Sequence, residues 1–246
     1  MREQVRVVIT AGPTHEPVDC VRFLGNRSSG RMGMALAHAA AEAGHQVTLL
    51  LGPVGHAASC DGVAVHRFRT CTDLGALLDV HAASADVLIM AAAVADYRPV
   101  PLAAISGGKF RRGESGARVL LELVPTEDLL AKVARGRRAD QLLVGFALEP
   151  REEMIASAHA KLVRKGVDLV VANPLESMDA GAIEGVIVRP EGEVRPPEPL
   201  MTKEAFARWF MSFLADDIMR VCYQGGASAS ETGVRDCSFS SGGLNR

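Results

Sequence analysis

Buried apolar strands that alternate with amphipathic helices predict an α/β fold, with a mostly parallel sheet covered by helices on both faces. Residues 5–10 and residues 86–91 are apolar runs of strand length, and an alanine-rich helical segment, residues 30–43, follows the first of them. Because crossovers between parallel strands are right-handed, such a sheet is expected to be doubly wound and Rossmann-like. A long irregular segment over about residues 94–118 and a hairpin over residues 185–195 are predicted to add a flap and a late β-hairpin.

The remaining elements follow the same alternation along the chain. Strands are predicted over residues 5–10, 46–51, 63–68, 86–91, 119–123, 141–146 and 168–172, and helices over residues 30–43, 72–83, 125–134 and 152–164. A final helix is predicted to begin after the cap Thr202 and to run to about residue 221, with an aromatic stripe that indicates core packing. Residues 1–222 are therefore expected to form one domain. Residues 223–246 are rich in Gly and Ser, which is typical of a disordered tail.

Composition excludes several classes of protein. The chain has 246 residues, is 48% hydrophobic and 23% charged, and carries a formal net charge of -2, so nothing favours a nucleic-acid or membrane-surface partner. No apolar run reaches the length of a membrane span, and the N-terminus leads directly into a strand, so no signal peptide is expected. The five cysteines are scattered, without a C-x-x-C pair. Reduced thiols in a cytoplasmic protein are therefore predicted.

Residues 26–33 contain the pattern with the clearest chemical meaning. This polar, glycine-bearing turn opens the alanine-rich helix, and a helix N-terminus offers unpaired N–H groups and a positive dipole end to phosphate. Ser28 and Ser29 are predicted to cap the helix or to donate hydroxyls to an anion. Gly30 and Gly33 allow a ligand or a strand to approach the backbone. The alternative is an ordinary capped helix with a glycine chosen for packing.

The loop before this helix departs from the dinucleotide-binding pattern. About twenty residues separate Thr10 from Gly30, and only Gly12 lies at the first turn, so the G-x-G-x-x-G fingerprint is absent. The loop is expected at the carboxyl end of the first strand, where open α/β sheets bind ligands. Asp19 and Arg22 are predicted either to form an ion pair that shapes the loop or to meet a substrate.

Other candidate residues follow later strands. Asp96, after residues 86–91, suits a magnesium ion or a nucleotide hydroxyl. Phe146 suits either a base or the core, and Lys161 and Lys165 share a helix face that points either to a nucleotide or to solvent. The flap contains Lys109 among glycines and other basic residues, and is interpreted as a mobile lid or, alternatively, as a plain surface loop.

Taken in order, several of these segments resemble the phosphopantothenoylcysteine synthetase family, the ligases of coenzyme A synthesis. The segments are residues 9–17, 19–22, 26–33, 92–99, 108–112, 145–149 and 161–173, and the resemblance spans about residues 5–220. It implies that CTP, with Mg²⁺, activates 4′-phosphopantothenate as an acyl-cytidylate, which L-cysteine then attacks. It also implies a homodimer whose site is completed across the interface. The decarboxylase fused to this ligase in many bacteria has no counterpart in these residues, so the chain resembles either a stand-alone ligase or an isolated ligase domain, and a separate phosphopantothenoylcysteine decarboxylase is one candidate partner.

The resemblance also implies roles for individual residues, and those expected to bind the nucleotide are Gly12, Ser28, Ser29, Gly30, Ala92, Ala93, Asp96, Phe146, Lys161 and Lys165. The two serines and Gly30 would hold the triphosphate, and the two lysines would reach the base or sugar. Asp96 is also the expected metal ligand. Asn26 would contact the activated acyl group, Lys109 would neutralise charge on the transferring group, and Arg22 would help to hold phosphopantothenate.

Four positions depart from the family pattern. The flap has Arg111 and Arg112 where the family usually has lysines, Pro174 replaces an aspartate, and Glu184 replaces an asparagine. Two other functions compete with the ligase. One is a nicotinamide-dependent oxidoreductase, against which the missing glycine fingerprint argues. The other is a non-catalytic regulatory subunit that keeps the fold, against which the intact Asn26, Asp96 and Lys109 argue.

Overall fold

The computed structural model describes residues 4–55, 61–100, 109, 118 and 120–218. Its strands are β1 (Arg6–Ala11), β2 (Glu16–Pro17), β3 (Phe23–Leu24), β4 (Gln46–Leu51), β5 (Val63–Arg67), β6 (Val87–Met90), β7 (Tyr97–Pro99), β8 (Leu123–Pro125), β9 (Leu142–Glu149), β10 (Leu169–Pro174), β11 (Ala182–Ile183), β12 (Val186–Arg189), β13 (Gly192–Val194) and β14 (Met201–Thr202). Its α-helices are α1 (Arg31–Glu42), α2 (Cys71–His81), α3 (Leu129–Gly136), α4 (Met154–Lys165) and α5 (Lys203–Phe213).

Eight strands form the central sheet, in the order β13-β12-β10-β9-β6-β1-β4-β5. The six strands from β10 to β5 run parallel, while β12 and β13 form the antiparallel hairpin at one edge. From β1 the chain first builds outward through β4 and β5, and then returns to place β6 on the other side of β1. This reversal makes the sheet doubly wound, as predicted, and creates a crevice at the carboxyl ends of β1 and β6.

Helices cover both faces of the sheet because successive residues of each strand point to opposite sides. Val7 and Ile9 pack into one cluster with α1 and α5, whereas Val8 packs into the other cluster with α2, α3 and α4. Phe206 and Phe210 of α5 are fully buried, so the predicted aromatic stripe is core. Each such side chain contributes about 1.5–3 kcal/mol by leaving water.

Buried polar groups fix the long loop after β1. The Thr14 hydroxyl accepts from the Ala95 N–H at 3.0 Å, and the Glu16 carboxylate accepts from the Cys71 N–H at 2.7 Å. Both residues are buried, at 0% and 2% exposure. Because buried polar groups require partners, these bonds tie the loop to the segment after β6 and to the first turn of α2. The loop therefore has a defined shape beside the crevice.

The predicted strand over residues 119–123 is wrong as a part of the main sheet. Residues 120–122 are not in a strand, and β8 instead pairs antiparallel with β7 in a separate two-stranded sheet. Pro99 and Pro125 lie at the ends of this pairing and lack N–H groups, which suits a short outlying pair rather than a central strand. The apolar residues Leu120 and Leu121 are exposed, so in this segment apolar composition does not indicate burial.

Helix starts also differ by a few residues from the predicted ones. The third helix begins at Leu129 rather than near residue 125, because the Asp128 carboxylate accepts from the Ala131 N–H and acts as its N-cap. Thr202 caps α5 as predicted, by accepting from the Ala205 N–H. No helix among the described residues is long and apolar enough to cross a membrane. Most of the predicted flap, including Arg111 and Arg112, and the tail over residues 223–246 lie outside the described residues.

Candidate functional site

A cleft of about 780 Å³ lies at the carboxyl edge of the central sheet. Its walls come from the segment that opens α1, from the residues that follow β6, from the ends of β9 and β10, and from one face of α4. This is the edge at which the strand order reverses, where open α/β sheets bind their ligands.

Ten of the thirteen residues predicted for the site line this cleft: Asn26, Ser28, Ser29, Gly30, Ala92, Ala93, Asp96, Phe146, Lys161 and Lys165. Gly12, Arg22 and Lys109 are described by the structure but do not line it. Helices from opposite faces of the sheet supply the two sides of the cleft. We call residues 27–33 and Lys203 the α1 side, and Phe146, Lys161 and Lys165 the α4 side.

The first turn of α1 is open toward the cleft. Its N-cap is Gly30, in the left-handed conformation at φ 72°, and no side chain caps the helix. Of the two roles predicted for Ser28 and Ser29, capping of α1 is therefore wrong, and donation to an anion stays a prediction. The Ser28 hydroxyl accepts from the Gly30 N–H at 3.3 Å. Because Gly30 has no side chain to offer, the N–H groups of the first helical turn remain available to a ligand.

Glycines place this turn close to β1. A Cβ on Gly33 would lie 2.5 Å from the Ala11 Cβ, and a Cβ on Gly30 would lie 2.9 Å from a Val54 methyl and 3.3 Å from the Gly12 nitrogen. Gly33 is thus needed for the close approach of α1 to β1 rather than for the approach of a ligand. Gly12 lies behind Gly30 and supports it, so any effect of Gly12 on a ligand is indirect.

Hydrogen bonds join the segment after β6 both to the segment before α1 and to the end of β1. The Asn26 amide donates to the Val94 carbonyl at 3.0 Å, and the Ala92 N–H donates to the Thr10 hydroxyl, also at 3.0 Å. Ala92 and Ala93 line the cleft, and their small side chains leave the backbone after β6 accessible to a ligand. Asp96 is exposed at the cleft, and no cluster of three or more His, Cys, Asp or Glu suited to a metal occurs in the described part of the chain.

The α4 side is held by internal hydrogen bonds and ion pairs. Lys161 donates to the Phe146 carbonyl, and Lys165 pairs with the Asp128 carboxylate. Burial lowers the pKa of Lys161 below its ordinary value, and the neighbouring charge of Lys165 lowers this pKa further. Phe146 is half-buried, and it both packs against the core and lines the cleft, so each of its two predicted roles is compatible with its position.

Cationic side chains outnumber acidic ones around the cleft. The cations are Arg27, Arg31, Lys161, Arg164, Lys165 and Lys203, and the acids are Asp96, Glu149 and Asp179. The whole chain, by contrast, has a formal net charge of -2. Positive charge is therefore concentrated at the cleft, which favours an anionic ligand.

Several of these residues were missed by the sequence analysis. Asn173, the penultimate residue of β10, lines the cleft and donates to the Ser177 hydroxyl at 3.2 Å. Asp179 has the one positive φ, 56°, of the described non-glycine residues, and its carboxylate pairs with Arg27 at 2.5 Å. Lys203 did leave a signal, because it follows the cap Thr202 directly. A lysine in the first turn of a helix opposes the helix dipole.

Arg22 forms the predicted ion pair with Asp19, at 2.5 Å, on an exposed hairpin formed by β2 and β3. Exposed apolar side chains surround it, with Val21 at 57% and Phe23 at 48% exposure.

The departure at Glu184 is accommodated by an ion pair with Arg151 at 2.6 Å. Pro174 ends β10, where its carbonyl accepts from the Ser177 hydroxyl at 2.5 Å. Lys109 is exposed, and its neighbours 101–108 and 110–117 lie outside the described residues.

Comparison with known proteins gives consistent matches over most of the chain. The sequence profile of the family described as "DNA/pantothenate metabolism flavoprotein C-terminal domain" matches residues 2–218. Among curated relatives, a "Cysteine/Cysteine sulfinic acid decarboxylase" from an unknown prokaryotic organism is 44% identical over 72% of this chain and 47% of its own length. The "Coenzyme A biosynthesis bifunctional protein CoaBC" of Mycobacterium tuberculosis is 43% identical over 68% of this chain and 41% of its own length. The chain thus spans about half the length of these relatives or less.

Solved structures agree with this match. The crystal structure of the C-terminal domain of CoaBC is 32% identical to the chain, covers 85% of it and 93% of its own length, and has a TM-score of 0.69. A mutant of Cab2 in complex with phosphopantothenate-cysteine is 18% identical, covers 92% of this chain and 90% of its own length, and has a TM-score of 0.73. At that identity the second likeness establishes the shared fold.

Proposed function

The chain belongs to the family of DNA/pantothenate metabolism flavoprotein C-terminal domains, and from this premise we propose that it is a phosphopantothenate–cysteine ligase of coenzyme A biosynthesis. The observation that carries the proposal is the cationic cleft, which brings ten of the thirteen predicted residues together at the carboxyl edge of the sheet. Its nucleotide substrate is CTP, which rests on the resemblance of residues 92–97 to bacterial members of the family.

The first step activates a carboxylate. A carboxylate oxygen of 4′-phosphopantothenate attacks the α-phosphorus of CTP, the bond from that phosphorus to the β-phosphate oxygen breaks, and pyrophosphate leaves. The open turn of α1 with Ser28, Ser29 and Gly30 binds the phosphates, while Phe146 and Lys161 bind the base and sugar. The work of such a site is positioning and charge stabilisation.

Magnesium fits the donors present in the cleft. Mg²⁺ is commonly held by one or two carboxylates together with substrate phosphates and water, and Asp96 is an exposed carboxylate on the cleft wall. When bound, the ion would neutralise charge on the phosphates. Lys109, whose side chain is exposed, would add positive charge if the flap covers the cleft.

The second step forms the amide. The amine of L-cysteine attacks the acyl carbon of the acyl-cytidylate, CMP leaves with the former carboxylate oxygen, and a proton is lost from the nitrogen. Asn26 lines the cleft, and the hydrogen bond from its amide to the Val94 carbonyl orients its side chain for this step. We propose that Asn26 orients the acyl group for the amine.

A homodimer would explain why Arg22 lies outside the cleft. Arg22 belongs to the β2–β3 hairpin, whose side chains Val21, Phe23 and Leu24 are exposed, and Leu123 of the neighbouring small sheet is exposed as well. Contiguous exposed apolar surface is typical of an interface. We propose that a second copy covers this surface, and that Arg22 from that copy reaches phosphopantothenate.

The chain spans less than half the length of the two curated relatives above. We propose that a phosphopantothenoylcysteine decarboxylase performs the decarboxylation that follows ligation. A cytoplasmic location follows for an enzyme that uses CTP and free cysteine. No observation at the cleft favours a nicotinamide-dependent oxidoreductase.

The proposal is tested by pyrophosphate release from CTP with Mg²⁺ and 4′-phosphopantothenate, with and without L-cysteine, and with ATP in parallel. Release that cysteine stimulates, with CMP and phosphopantothenoylcysteine as the other products, is expected with CTP. Release with ATP alone would retain the ligase and overturn the choice of CTP. A folded dimer that releases no pyrophosphate from either nucleotide would instead support a non-catalytic subunit.

A further inference from the structure

Lys203 is a buried lysine whose charge is not balanced by a bonded partner. The residue is only 6% exposed, and it lines the cleft. No hydrogen bond or ion pair of its ammonium occurs among the described residues. Its ammonium is not among the buried side-chain atoms that lack a hydrogen-bond partner, so it is open to the cleft, while burial of the rest of the side chain penalises its charge.

The backbone around Lys203 is firmly positioned. The short strand β14 pairs with β11, Thr202 caps α5, and the Lys203 N–H donates to the Gly181 carbonyl at 3.2 Å. The ammonium is therefore directed by a fixed backbone rather than by a mobile loop. Such preorganisation is typical of a group that receives a ligand.

Lys203 has one cationic neighbour, Arg31, and two acidic neighbours, Asp179 and Glu204. Burial lowers the pKa of Lys203 below its ordinary value and Arg31 lowers it further, whereas Asp179 and Glu204 act to raise it. Asp179 is already paired with Arg27. The α1 side thus holds three cations at the positive end of α1, whose first turn contains no acidic residue.

We propose that Lys203 is a polyphosphate-binding residue, which together with the first turn of α1 receives the β- and γ-phosphates of the nucleotide and then the pyrophosphate formed from them. This deepens the proposed function and rests on it for the identity of the nucleotide. When the bond between the α-phosphorus and the β-phosphate oxygen breaks, its electron pair stays with pyrophosphate. The positive charges of Lys203 and Arg31 stabilise that added negative charge.

The structure also distinguishes Lys203 from the lysines of the α4 side. Lys161 already donates to the Phe146 carbonyl, and Lys165 is paired with Asp128. Lys203 has no such internal bond among the described residues. A ligand with several negative charges is therefore expected to gain more from Lys203 than a nucleoside monophosphate does.

The test measures binding of inorganic pyrophosphate and of CMP to the full chain by calorimetry. The variants are Lys203→Met, which keeps the length of the side chain, Lys203→Arg, which keeps the charge, and Lys132→Met as a control. Lys132 lies outside the cleft and pairs with Asp79 and Glu127. For Lys203→Met the dissociation constant of pyrophosphate is expected to rise about 10-fold to 100-fold, the range for a lost charged hydrogen bond.

Four further results are expected. CMP affinity should change less than about twofold in Lys203→Met, because CMP lacks the β- and γ-phosphates. Lys203→Arg should recover most of the pyrophosphate affinity, and Lys132→Met should bind as the unaltered protein does. The unfolding temperature of Lys203→Met should stay the same or rise, because an apolar side chain of similar length replaces a largely buried lysine that has no bonded partner among the described residues. Unchanged pyrophosphate affinity, or equal weakening of pyrophosphate and CMP, would overturn the proposal.

A measurement on the unaltered protein guards against variants that fail to fold. Pyrophosphate, but not CMP, is expected to protect Lys203 from acetic anhydride, as read by peptide mass spectrometry with Lys132 as the reference. Absence of that protection would also overturn the proposal. If Lys203→Met loses pyrophosphate binding while the unaltered chain performs no ligation, the anion site stands and the ligase fails. If ligation proceeds with an unchanged KM for CTP in Lys203→Met, the ligase stands and the anion site fails.

Discussion

The two sides of the cleft are built on different principles. On the α4 side, lysines are already tied to the protein, with Lys161 on the Phe146 carbonyl and Lys165 on Asp128. On the α1 side, backbone N–H groups are open and the ammonium of Lys203 has no bonded partner within the described residues. The α4 side, whose lysines are already bonded, favours shape-selective contact with a base. The α1 side, with its open N–H groups and the ammonium of Lys203, favours phosphate. The contrast indicates which part of the nucleotide each side would bind.

The largest effect is expected for Asn26, in the segment before α1. In Asn26→Asp the donor to the Val94 carbonyl is lost, and a negative charge is placed beside the acyl-cytidylate. We expect pyrophosphate release in the first turnover to persist, and transfer to cysteine to slow by about 10²-fold to 10³-fold, the effect of removing one preorganised donor. Rapid-quench detection of the acyl-cytidylate measures this. Normal steady-state turnover would show that Asn26 does not have this role.

The α4 side is tested by Lys161→Met. The ammonium of Lys161 is expected to contact the nucleotide from its position on the Phe146 carbonyl, so its loss should raise the KM for CTP by about 10-fold to 100-fold. Affinity for inorganic pyrophosphate should change little, in contrast to Lys203→Met. Equal losses of CTP and pyrophosphate affinity would abolish the distinction between the two sides.

Packing behind the α1 side is tested by Gly33→Ala. The new Cβ would lie 2.5 Å from the Ala11 Cβ, so α1 must move away from β1. We expect a loss of about 1–3 kcal/mol in the free energy of unfolding, the usual cost of overpacking, with weaker pyrophosphate binding. Gly136→Ala is the matched control, since nothing lies within 4 Å of its added Cβ. A fully stable Gly33→Ala would mean that α1 does not pack on β1 as described.

The smallest expected effect is on pH dependence. Burial lowers the pKa of Lys161 below the ordinary 10.5 in the folded protein. Between the lowered pKa and 10.5 the unfolded state binds more protons than the folded state, so this group makes stability rise with pH in that window. Nucleotide binding needs the charged form and should therefore weaken by a few-fold as pH rises through the same window. Titration of the KM for CTP should show this rise for the unaltered chain, and a flat profile for Lys161→Met would support the assignment.

The sequence predicted the repetitive parts of the molecule well. The apolar strands, the doubly wound order and the late hairpin over residues 185–195 follow from periodicity, and the eight-stranded sheet confirms them. The strand predicted over residues 119–123 is wrong because Leu120 and Leu121 precede the small sheet of β7 and β8, and both are exposed, as is Leu123 within β8. Apolar composition cannot distinguish a core strand from an exposed apolar surface.

At the cleft, sequence reasoning identified residues whose chemistry follows from residue type and motif, and it did not identify residues that reach the cleft through tertiary contacts. Asn26, Gly30 and Phe146 follow from motif and order. Lys203 comes from a helix that packs beside α1 only in the folded protein, far from residues 27–33 in sequence. The capping roles of Ser28 and Ser29 failed because the left-handed Gly30 takes the N-cap position, a backbone detail that residue types do not fix.

The central claim is that this cleft activates a carboxylate by transfer of a nucleotidyl group. The most direct measurement uses 4′-phosphopantothenate with both carboxylate oxygens labelled with ¹⁸O, together with CTP, Mg²⁺ and L-cysteine. Mass spectrometry is expected to find one labelled oxygen in CMP and none in pyrophosphate, because the carboxylate oxygen that attacks the α-phosphorus leaves with it. Label in inorganic phosphate, with CDP as the second product, would contradict the account and indicate an acyl phosphate instead.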